Sequence, residues 1–326
     1  MAQVSEYPLV SVIIPCFNAE KYLPIIFQCF DKQTYKNFQL IFVNDGSTDG
    51  TLSLLSGYCR QNPQHTLISG ENEGAASARN RGLKYIKGEL FTFCDADDII
   101  LSNHLELLVK NLTYNKADMA VCAIKRISEK YAASFDFNSR PREKMLWFFG
   151  RESAIEQYFS QKIFDYVLFN KIYRTEILLK SGARFLDGTK YGEESYFIFK
   201  YLSFCYKTVY YGAKTYVYVQ NKSSLMHVKF SESRLDIYTN LTAVIREIKN
   251  DGKHVSVLPY VKVMRAGYSV GLLHFILHSD YRNKCVINGI KSYLKQDVKN
   301  LKACKKVALY KKLFMPICVM LSKIIL

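Results

Sequence analysis

The sequence predicts an α/β protein with a doubly wound, mainly parallel sheet, helices on both faces and a C-terminal helical region. Short apolar segments alternate with amphipathic segments of helical period up to residue 122, as in successive βαβ units. Polar residues follow four of the predicted strands, and such sheets bind ligands beyond the carboxyl ends of their strands. From about residue 231 the apolar spacing is helical to the end of the chain.

The first part of the chain contains closely spaced elements. Residues 9–15 (LVSVIIP) form a β-branched apolar segment, which is typical of a strand buried on both faces. Further strands are predicted at residues 39–44, 66–69, 89–94 and 118–122, and helices at residues 19–32, 51–60, 74–87 and 102–114. We expect Ser102 to cap the last of these helices.

The pattern is less regular after residue 122. Residues 125–151 are charged and aromatic and are predicted to form a loop or lid. Residues 152–180 have helical spacing with a break near residues 163–165, a helix is predicted at residues 193–204, and alternation predicts strands over residues 208–219.

The length of 326 residues and the apolar content of 49% predict a globular protein with a sizeable core. We expect one domain over residues 1–228, with halves 1–125 and 126–228, and a helical region over residues 229–326. Nine scattered cysteines without a C-x-x-C pair indicate reduced thiols in a cytoplasmic protein. The N-terminus has no signal-peptide pattern.

The formal net charge is +16, and residues 282–326 hold eleven Lys and Arg but a single acid, Asp297. This excess indicates an anionic partner such as nucleic acid, an anionic membrane or a phosphorylated substrate. Basic residues 299–312 precede an apolar end, residues 313–326, which favours contact with an anionic lipid surface. The alternative is a terminal helix packed on the core with a solvated lysine face. No nucleic-acid recognition module is evident, so no nucleic acid is expected as a partner.

The segment FTFCDADDII places three acids directly after a predicted strand. Asp95 and Asp97, separated by Ala96, can face one divalent cation, and Mg²⁺ or Mn²⁺ suits carboxylate and phosphate oxygens. The alternative is that Asp97 or Asp98 caps the next helix while the other acids are solvated. We expect Asp98 to start a helix or to support the other two acids.

The other polar strand ends are Asn18, Asp45 and Asn72. Asp45 precedes the turn-forming residues GSTDG, and at a strand end its carboxylate can accept a hydrogen bond from a nucleotide base. Arg79 falls in the second turn of a helix, from which it can reach a nucleotide or the carboxylates of the fourth strand. The chain lacks a P-loop and a dinucleotide-binding G-x-G-x-x-G after the first strand, which argues against those two classes.

Glu193 and Glu194 open a predicted helix. Acids in a first turn suit the helix dipole, but one of them can instead serve as a general base. His274 and His278 are four residues apart on one helical face, without an acid at metal-site spacing, and we interpret them as ordinary polar positions.

Four segments together resemble one family. VSVIIPCFNAEKYL, FVNDGSTDGT, ENEGAASARNRGL and FTFCDADD, in this order and spacing, are similar to the inverting glycosyltransferases of family 2, which have the GT-A fold. The resemblance covers about residues 10–128 and continues more weakly through FNKIYR (169–174), GEESYF (192–197) and the segment from Tyr218 to His227.

The resemblance implies a catalytic domain over residues 1–228, a nucleotide-sugar donor, usually a UDP-sugar, and Mn²⁺ or Mg²⁺ as cofactor. By position, the donor would be held by Pro15, Phe17, Asn18, Asp45, Asn72, Arg79, Asp95, Ala96 and Asp97. Asp97, with Asp95, would ligate the metal on the diphosphate. Asn170, Lys171 and His227 would face the diphosphate or the acceptor.

The family's base is the Asp of an E-D pair, and it falls on Glu194. Since Glu replaces Asp here, the base assignment stays open between Glu194 and Glu193. The resemblance and the basic tail together imply a glycan acceptor, usually linked to polyprenyl diphosphate. They also imply a cytoplasmic enzyme of bacterial surface-polysaccharide synthesis, peripheral at the inner face of the cell membrane.

Two alternatives remain. A nucleotidyltransferase that makes a nucleotide sugar would show a glycine-rich basic loop after the first strand, where this chain reads PCFNAEKYL. A non-catalytic protein that binds a nucleotide sugar or a membrane would not need the acids at Asp95, Asp97, Glu193 and Glu194.

Overall fold

The computed structural model describes residues 7–132, 134–141, 146–163, 165–220 and 230–302, with side chains to residue 298. Within these residues one mixed sheet has the strand order β3-β2-β1-β4-β8-β6-β9-β5, and β7 also pairs with β9. The strands are β1 (Val10–Cys16), β2 (Phe38–Asp45), β3 (Thr66–Gly70), β4 (Leu90–Phe93), β5 (Ile99–Ile100), β6 (Met119–Ser128), β7 (Leu146–Phe149), β8 (Lys171–Arg174) and β9 (Thr208–Gln220).

Ten helices lie in the same residues. They are α1 (Leu23–Asp31), α2 (Thr51–Gln61), α3 (Ala75–Leu83), α4 (His104–Tyr114), α5 (Arg151–Ser160), α6 (Thr175–Ser181), α7 (Glu194–Leu202), α8 (Asp236–Asp251), α9 (Leu258–Leu277) and α10 (Lys284–Lys302). The predicted alternation of strands and helices up to residue 122 is confirmed.

The sheet is mostly parallel, as predicted. β3, β2, β1 and β4 are parallel to one another, and β6 is parallel to β9. β8 lies antiparallel between β4 and β6, and it was not predicted, since residues 152–180 have helical spacing. A four-residue strand is too short to show a clear alternation of apolar and polar residues, so its conformation depends on the neighbouring strands of the sheet.

Two other local predictions were wrong. Residues 125–151 are not one loop, because β6 continues to Ser128 and β7 pairs with the first residues of β9. Ser102 does not cap α4, whose N-cap is Asn103. The Leu105 N–H in the first turn donates instead to Gln33 Oε1 over 3.1 Å, so a distant side chain replaces the local cap.

Alternate residues of β1 serve two cores on opposite faces of the sheet. Val12 and Ile14 belong to one core, with residues of α1 and α4, and Ile13 belongs to the other. α3 lies close against this second face, because a Cβ at Gly82 would come within 2.5 Å of the Ile13 side chain. At the other end of α3, the Gly74 N–H donates to Asp45 over 2.8 Å, which places the N-terminus of the helix at the end of β2.

The predicted C-terminal helices are confirmed over the described residues. Leu241 of α8, Leu272 of α9 and Leu294 of α10 extend the second core. A buried ion pair joins α9 to α10, where Arg265 donates to both carboxylate oxygens of Asp297 over 2.8 and 2.9 Å. No helix in the described part of the chain is both long and apolar enough to cross a bilayer. The predicted lipid-binding segment beyond residue 302 lies outside the described residues.

Candidate functional site

The loops that follow β1 and β2 are held together by Asn18. Its Oδ1 accepts the Thr48 N–H over 2.9 Å, and its own N–H donates to Ser47 Oγ over 3.0 Å. Asn18 has a φ of 47°, a left-handed conformation that Asn tolerates better than most residues. Beside it Phe17 is 51% exposed, so an aromatic face is available at this edge of the sheet.

Asp45, the last residue of β2, organises the entrance to α3. Its carboxylate accepts the Glu73 N–H over 3.1 Å and the Gly74 N–H over 2.8 Å, and it forms an ion pair with Arg81. The side chain is almost fully buried. Asp45 therefore fixes the loop that presents the exposed Asn72, and its contact with a base stays a prediction.

Arg79 connects two acids that are far apart in the sequence. Its Nη1 donates to Glu193 Oε1 over 2.7 Å, and its Nη2 donates to Asp95 Oδ1 over 3.1 Å. Burial alone would lower the pKa of the Arg79 guanidinium, but the neighbouring Asp95, Glu193 and Glu194 raise it above its ordinary value. The buried cation therefore stays charged and holds the carboxyl end of β4 against the N-terminus of α7.

The turn before α7 requires a glycine. Gly192 has a φ of 69°, and a Cβ there would come within 2.2 Å of the Ile237 side chain. Only glycine adopts this conformation readily while letting α8 approach so closely. The turn delivers Glu193, the N-cap residue of α7, and Glu194, its first residue, to the site.

Glu194 has a strongly perturbed carboxyl group. Burial raises its pKa to about 8, and the adjacent Glu193 contributes in the same direction. Arg79 and the helix backbone oppose this rise without cancelling it. A carboxyl group that exchanges its proton near neutral pH is suited to general acid–base chemistry, so Glu194 is the better candidate for a base.

The three acids after β4 have different environments. Asp95 and Asp97 are partly exposed, whereas Asp98 is buried. Asp98 accepts the Tyr216 hydroxyl over 2.7 Å and the Val219 N–H over 2.8 Å. Burial, with the neighbouring Asp97 and Asp95, raises the pKa of Asp98.

The prediction that Asp98 starts a helix is wrong, because it precedes the short strand β5 and holds β9. It nevertheless supports the acids beside it, since the same Tyr216 hydroxyl accepts the Asp95 N–H over 3.2 Å. Tyr216 was not singled out in the sequence, where it is one of many aromatic residues of an alternating strand.

An open cleft of about 440 Å³ has several of these groups in its lining, but not Asp97 or Asp98. Arg79, Asp95, Glu193 and Glu194 line one part of it. Arg126 and five aromatic residues are among those that line the rest. The aromatic residues are Tyr166, Phe169, Tyr191, Tyr218 and Tyr268. Aromatic walls around a few polar groups are typical of sites for small molecules. These tyrosines come from four separate segments, and only Tyr218 lies in a segment that the family resemblance includes.

Asn170 and Lys171 are fully buried. The Asn170 Nδ2 donates to the Cys122 carbonyl over 2.6 Å, and the Lys171 ammonium donates to Asn170 Oδ1 over 2.7 Å and to the Asp165 carbonyl over 2.9 Å. Burial lowers the pKa of Lys171 to about 7. Both side chains support the loop that lines the cleft. His227 lies outside the described residues.

The metal-binding prediction concerns Asp95 and Asp97. No group of three His, Cys, Asp or Glu side chains in the described ranges is arranged to hold a metal. Two oxygen-donor side chains at a strand end nevertheless fit Mg²⁺ or Mn²⁺, which keep several ligand positions for substrate phosphates and water.

Comparison with protein families identifies the family to which this chain belongs. The model of the family described as "Glycosyl transferase family 2" matches residues 11–182, which include the four strand ends, Arg79 and the acids after β4. The chain belongs to glycosyl transferase family 2. It is a glycosyltransferase of the hexosyltransferase type, and the resemblance seen in the sequence is confirmed.

Two relatives come from Streptococcus pneumoniae serotype 4. The family 2 enzyme described here is 30% identical to the glycosyltransferase GlyA over 236 residues, 67% of this chain and 32% of GlyA. It is 29% identical to the glycosyltransferase GlyG over 259 residues, 77% of this chain and 84% of GlyG. The chain thus spans about a third of GlyA and most of GlyG.

Solved structures of low sequence identity share the fold. Residues 1–349 of S. aureus TarS in complex with UDP-GlcNAc match at a TM-score of 0.68 with 19% identity, covering 96% of this chain and 88% of that one. The mannosyltransferase PcManGT from Pyrobaculum calidifontis, in complex with GDP-Man and Mn²⁺, matches at 0.57 with 17% identity, covering 98% and 87%. These matches confirm the GT-A-like fold of the glycosyltransferase.

Proposed function

We propose that this glycosyltransferase moves a sugar from a nucleotide sugar, a UDP-sugar, to a hydroxyl group of a glycan acceptor with inversion at the anomeric carbon. The observation that carries the proposal is the linked set Asp95–Arg79–Glu193 beside Glu194, whose pKa is about 8. These groups meet at the carboxyl end of β4 in a cleft of about 440 Å³. The UDP-GlcNAc bound to TarS supports a UDP-sugar as donor.

In this proposal Glu194 is the base. Its ionised carboxylate takes the proton of the acceptor hydroxyl as that oxygen attacks the anomeric carbon. The bond to the nucleoside diphosphate breaks on the opposite face, so the configuration inverts in one displacement. Arg79 contributes by fixing Glu193 and Asp95 on either side of the reacting centre, which lowers the entropic cost of alignment.

The donor occupies the strand-end edge of the sheet in the same proposal. Phe17 offers an exposed face for the base, Pro15 lies beside it at the end of β1, and Asn72 lies on the loop that Asp45 holds. Asp95 contacts the ribose or the sugar, and Ala96 is buried behind it.

Asp97, with Asp95, would hold Mn²⁺ or Mg²⁺, and a cation bound there would supply Lewis-acid stabilisation of the departing diphosphate. The Mn²⁺ in the PcManGT complex supports a metal-dependent mechanism.

The acceptor and the location form a further part of the proposal. A glycan linked to polyprenyl diphosphate suits a protein of net charge +16 whose last 45 residues carry a basic and an apolar segment. An anionic membrane surface would attract such a segment and concentrate the enzyme where lipid-linked acceptors are found. This predicts a peripheral enzyme of bacterial surface-polysaccharide synthesis.

Titration calorimetry tests the donor site. UDP should bind the wild type more tightly with Mn²⁺ than without it, and Asp97→Ala should abolish that difference. A donor screen for UDP release, followed by mass spectrometry of a glycan acceptor, then identifies the sugar. Metal-independent UDP binding by the wild type would contradict the proposed site, and a nucleotide-sugar product from sugar phosphate would indicate a nucleotidyltransferase instead.

A further inference from the structure

A second cavity, of about 420 Å³, opens beside the cleft. Three tyrosines, Tyr166, Tyr191 and Tyr268, line both spaces, so the two are neighbours across one aromatic wall. We call the second cavity the helical groove, because α9 forms much of its lining together with Arg234. Of the three shared tyrosines, Tyr191 lies two positions before Glu193 in the chain.

A buried cation lies in the helical groove. Arg234 is 3% exposed, and its guanidinium carbon lies 4.6 Å from the ring centre of Phe275 and 5.3 Å from that of Tyr191. Contacts with two aromatic rings help to retain a charge that is costly to bury. Among the described residues that line the groove, Arg234 is the one charged side chain and the others are mainly apolar and aromatic, so Arg234 can give the groove selectivity for charge.

The backbone of α9 leaves open space at the groove. Within the described part of the chain, a Cβ added at Gly271 would meet nothing within 4 Å. Gly267, four residues earlier on the same helical face, also lines the groove. Glycine disfavours a helix interior, and close packing does not require it at Gly271. The space next to this residue is therefore available to a ligand.

We propose that the helical groove binds the part of the acceptor that extends away from the attacked hydroxyl, and that this part carries an anionic group beside Arg234. The aromatic wall suits the apolar faces of sugar rings, and a guanidinium suits a phosphate or carboxylate. The inference rests on the proposed function, since it needs the acceptor hydroxyl to lie at Glu194. It goes further by naming the class of acceptor, an anionic glycan, and the groove that binds it.

Two variants test the groove, each with a matched reference. Gly271→Phe fills the space, and Gly289→Phe places the same side chain on α10, where an added Cβ also meets nothing within 4 Å. Arg234→Gln removes the charge, and Arg234→Lys keeps it. Each protein is measured with neutral, uronate-containing and phosphorylated oligosaccharides of equal length, by binding and by transfer from the donor found in the screen.

We expect the wild type to prefer at least one anionic series over the neutral one. Arg234→Gln should weaken binding of that series about 30-fold or more, with little change for neutral glycans, and Arg234→Lys should recover part of the preference. Gly271→Phe should raise the acceptor KM, whereas UDP binding should stay unchanged and Gly289→Phe should behave like the wild type.

Three results would overturn the inference. In the first, the wild type binds neither anionic series. In the second, Arg234→Gln and Gly271→Phe both keep the acceptor kinetics of the wild type. In the third, these variants lose UDP binding and acceptor binding to the same extent. A wild type that fails to bind UDP at all would instead contradict the proposed function, so the two failures are distinguishable. Comparing the uronate and phosphate series also decides which anion the site takes.

Discussion

Arg79 and Glu193 form a buried ion pair of 2.7 Å that joins residues 114 positions apart in the sequence. The pair links α3, which lies on the first strands of the sheet, to α7, which carries the candidate base. Because Arg79 also binds Asp95, one guanidinium sets the spacing between the carboxyl end of β4 and the N-terminus of α7.

Loss of Arg79 should therefore affect stability and activity together. Arg79→Ala leaves Asp95 and Glu193 without their shared cation, and we expect unfolding to become easier by about 3 kcal/mol. Urea unfolding followed by circular dichroism measures this change. Arg79→Lys keeps the charge but lacks the planar guanidinium that contacts both acids, so it should recover stability better than activity. If Arg79→Ala is as stable as the wild type, Arg79 does not stabilise the fold through Asp95 and Glu193.

The pH dependence of turnover should report Glu194. A base must be ionised, so with a pKa of about 8 its active fraction falls about tenfold for each pH unit below that value. We expect kcat/KM for transfer to rise with pH and to level off above about 8. A profile that is flat down to the ordinary glutamate range would exclude Glu194 as the base.

The two adjacent glutamates can be separated by matched substitutions. Glu194→Gln should lower kcat by about 10² to 10⁴ and remove the rise with pH. Glu193→Gln should keep that rise while weakening the contact with Arg79. If Glu193→Gln, and not Glu194→Gln, abolishes the pH dependence, the roles of the two residues are reversed.

Glu194 should also reduce the stability of the protein at alkaline pH. Its pKa is about 8 when folded and near 4.5 ordinarily, so the folded state binds the proton more tightly. The stability contributed by this proton is fully present below about 4.5 and is lost as pH rises through about 8. Glu194→Gln does not titrate, so the difference between its melting temperature and that of the wild type should grow in favour of the variant as pH rises to about 8 and then level off. The opposite trend would contradict the raised pKa.

Gly82 should be required for the packing of α3. A Cβ at this position meets the Ile13 side chain at 2.5 Å, so Gly82→Ala should destabilise the fold by about 1–3 kcal/mol. Gly57 in α2 has open space around the same position, and Gly57→Ala should stabilise by up to about 1 kcal/mol. Thermal unfolding of the two variants compares them directly, and a stabilised Gly82→Ala would show that α3 can shift.

Hydrophobic periodicity correctly predicted most helices and strands whose own residues show a clear apolar pattern. The continuous apolar run of β1 signals a strand buried on both faces. The helical spacing of α8 signals a helix with one buried face. β8 has no such signal, and it is a strand because β4 and β6 lie on either side of it. Of the two roles predicted for Asp98, the helix start is wrong and the support of the neighbouring acids holds, because its partners Tyr216 and Val219 lie in the distant strand β9.

The sequence by itself determined the fold class, the family and the edge of the sheet where polar residues collect. Alternating patterns specify βαβ units, and parallel strands end on a common edge. Only the tertiary structure decided that Arg79 joins Asp95 to Glu193, that Glu194 has a pKa of about 8, and that a groove with Arg234 adjoins the cleft. Those properties depend on burial and on distances between residues far apart in the chain, which a local pattern does not encode.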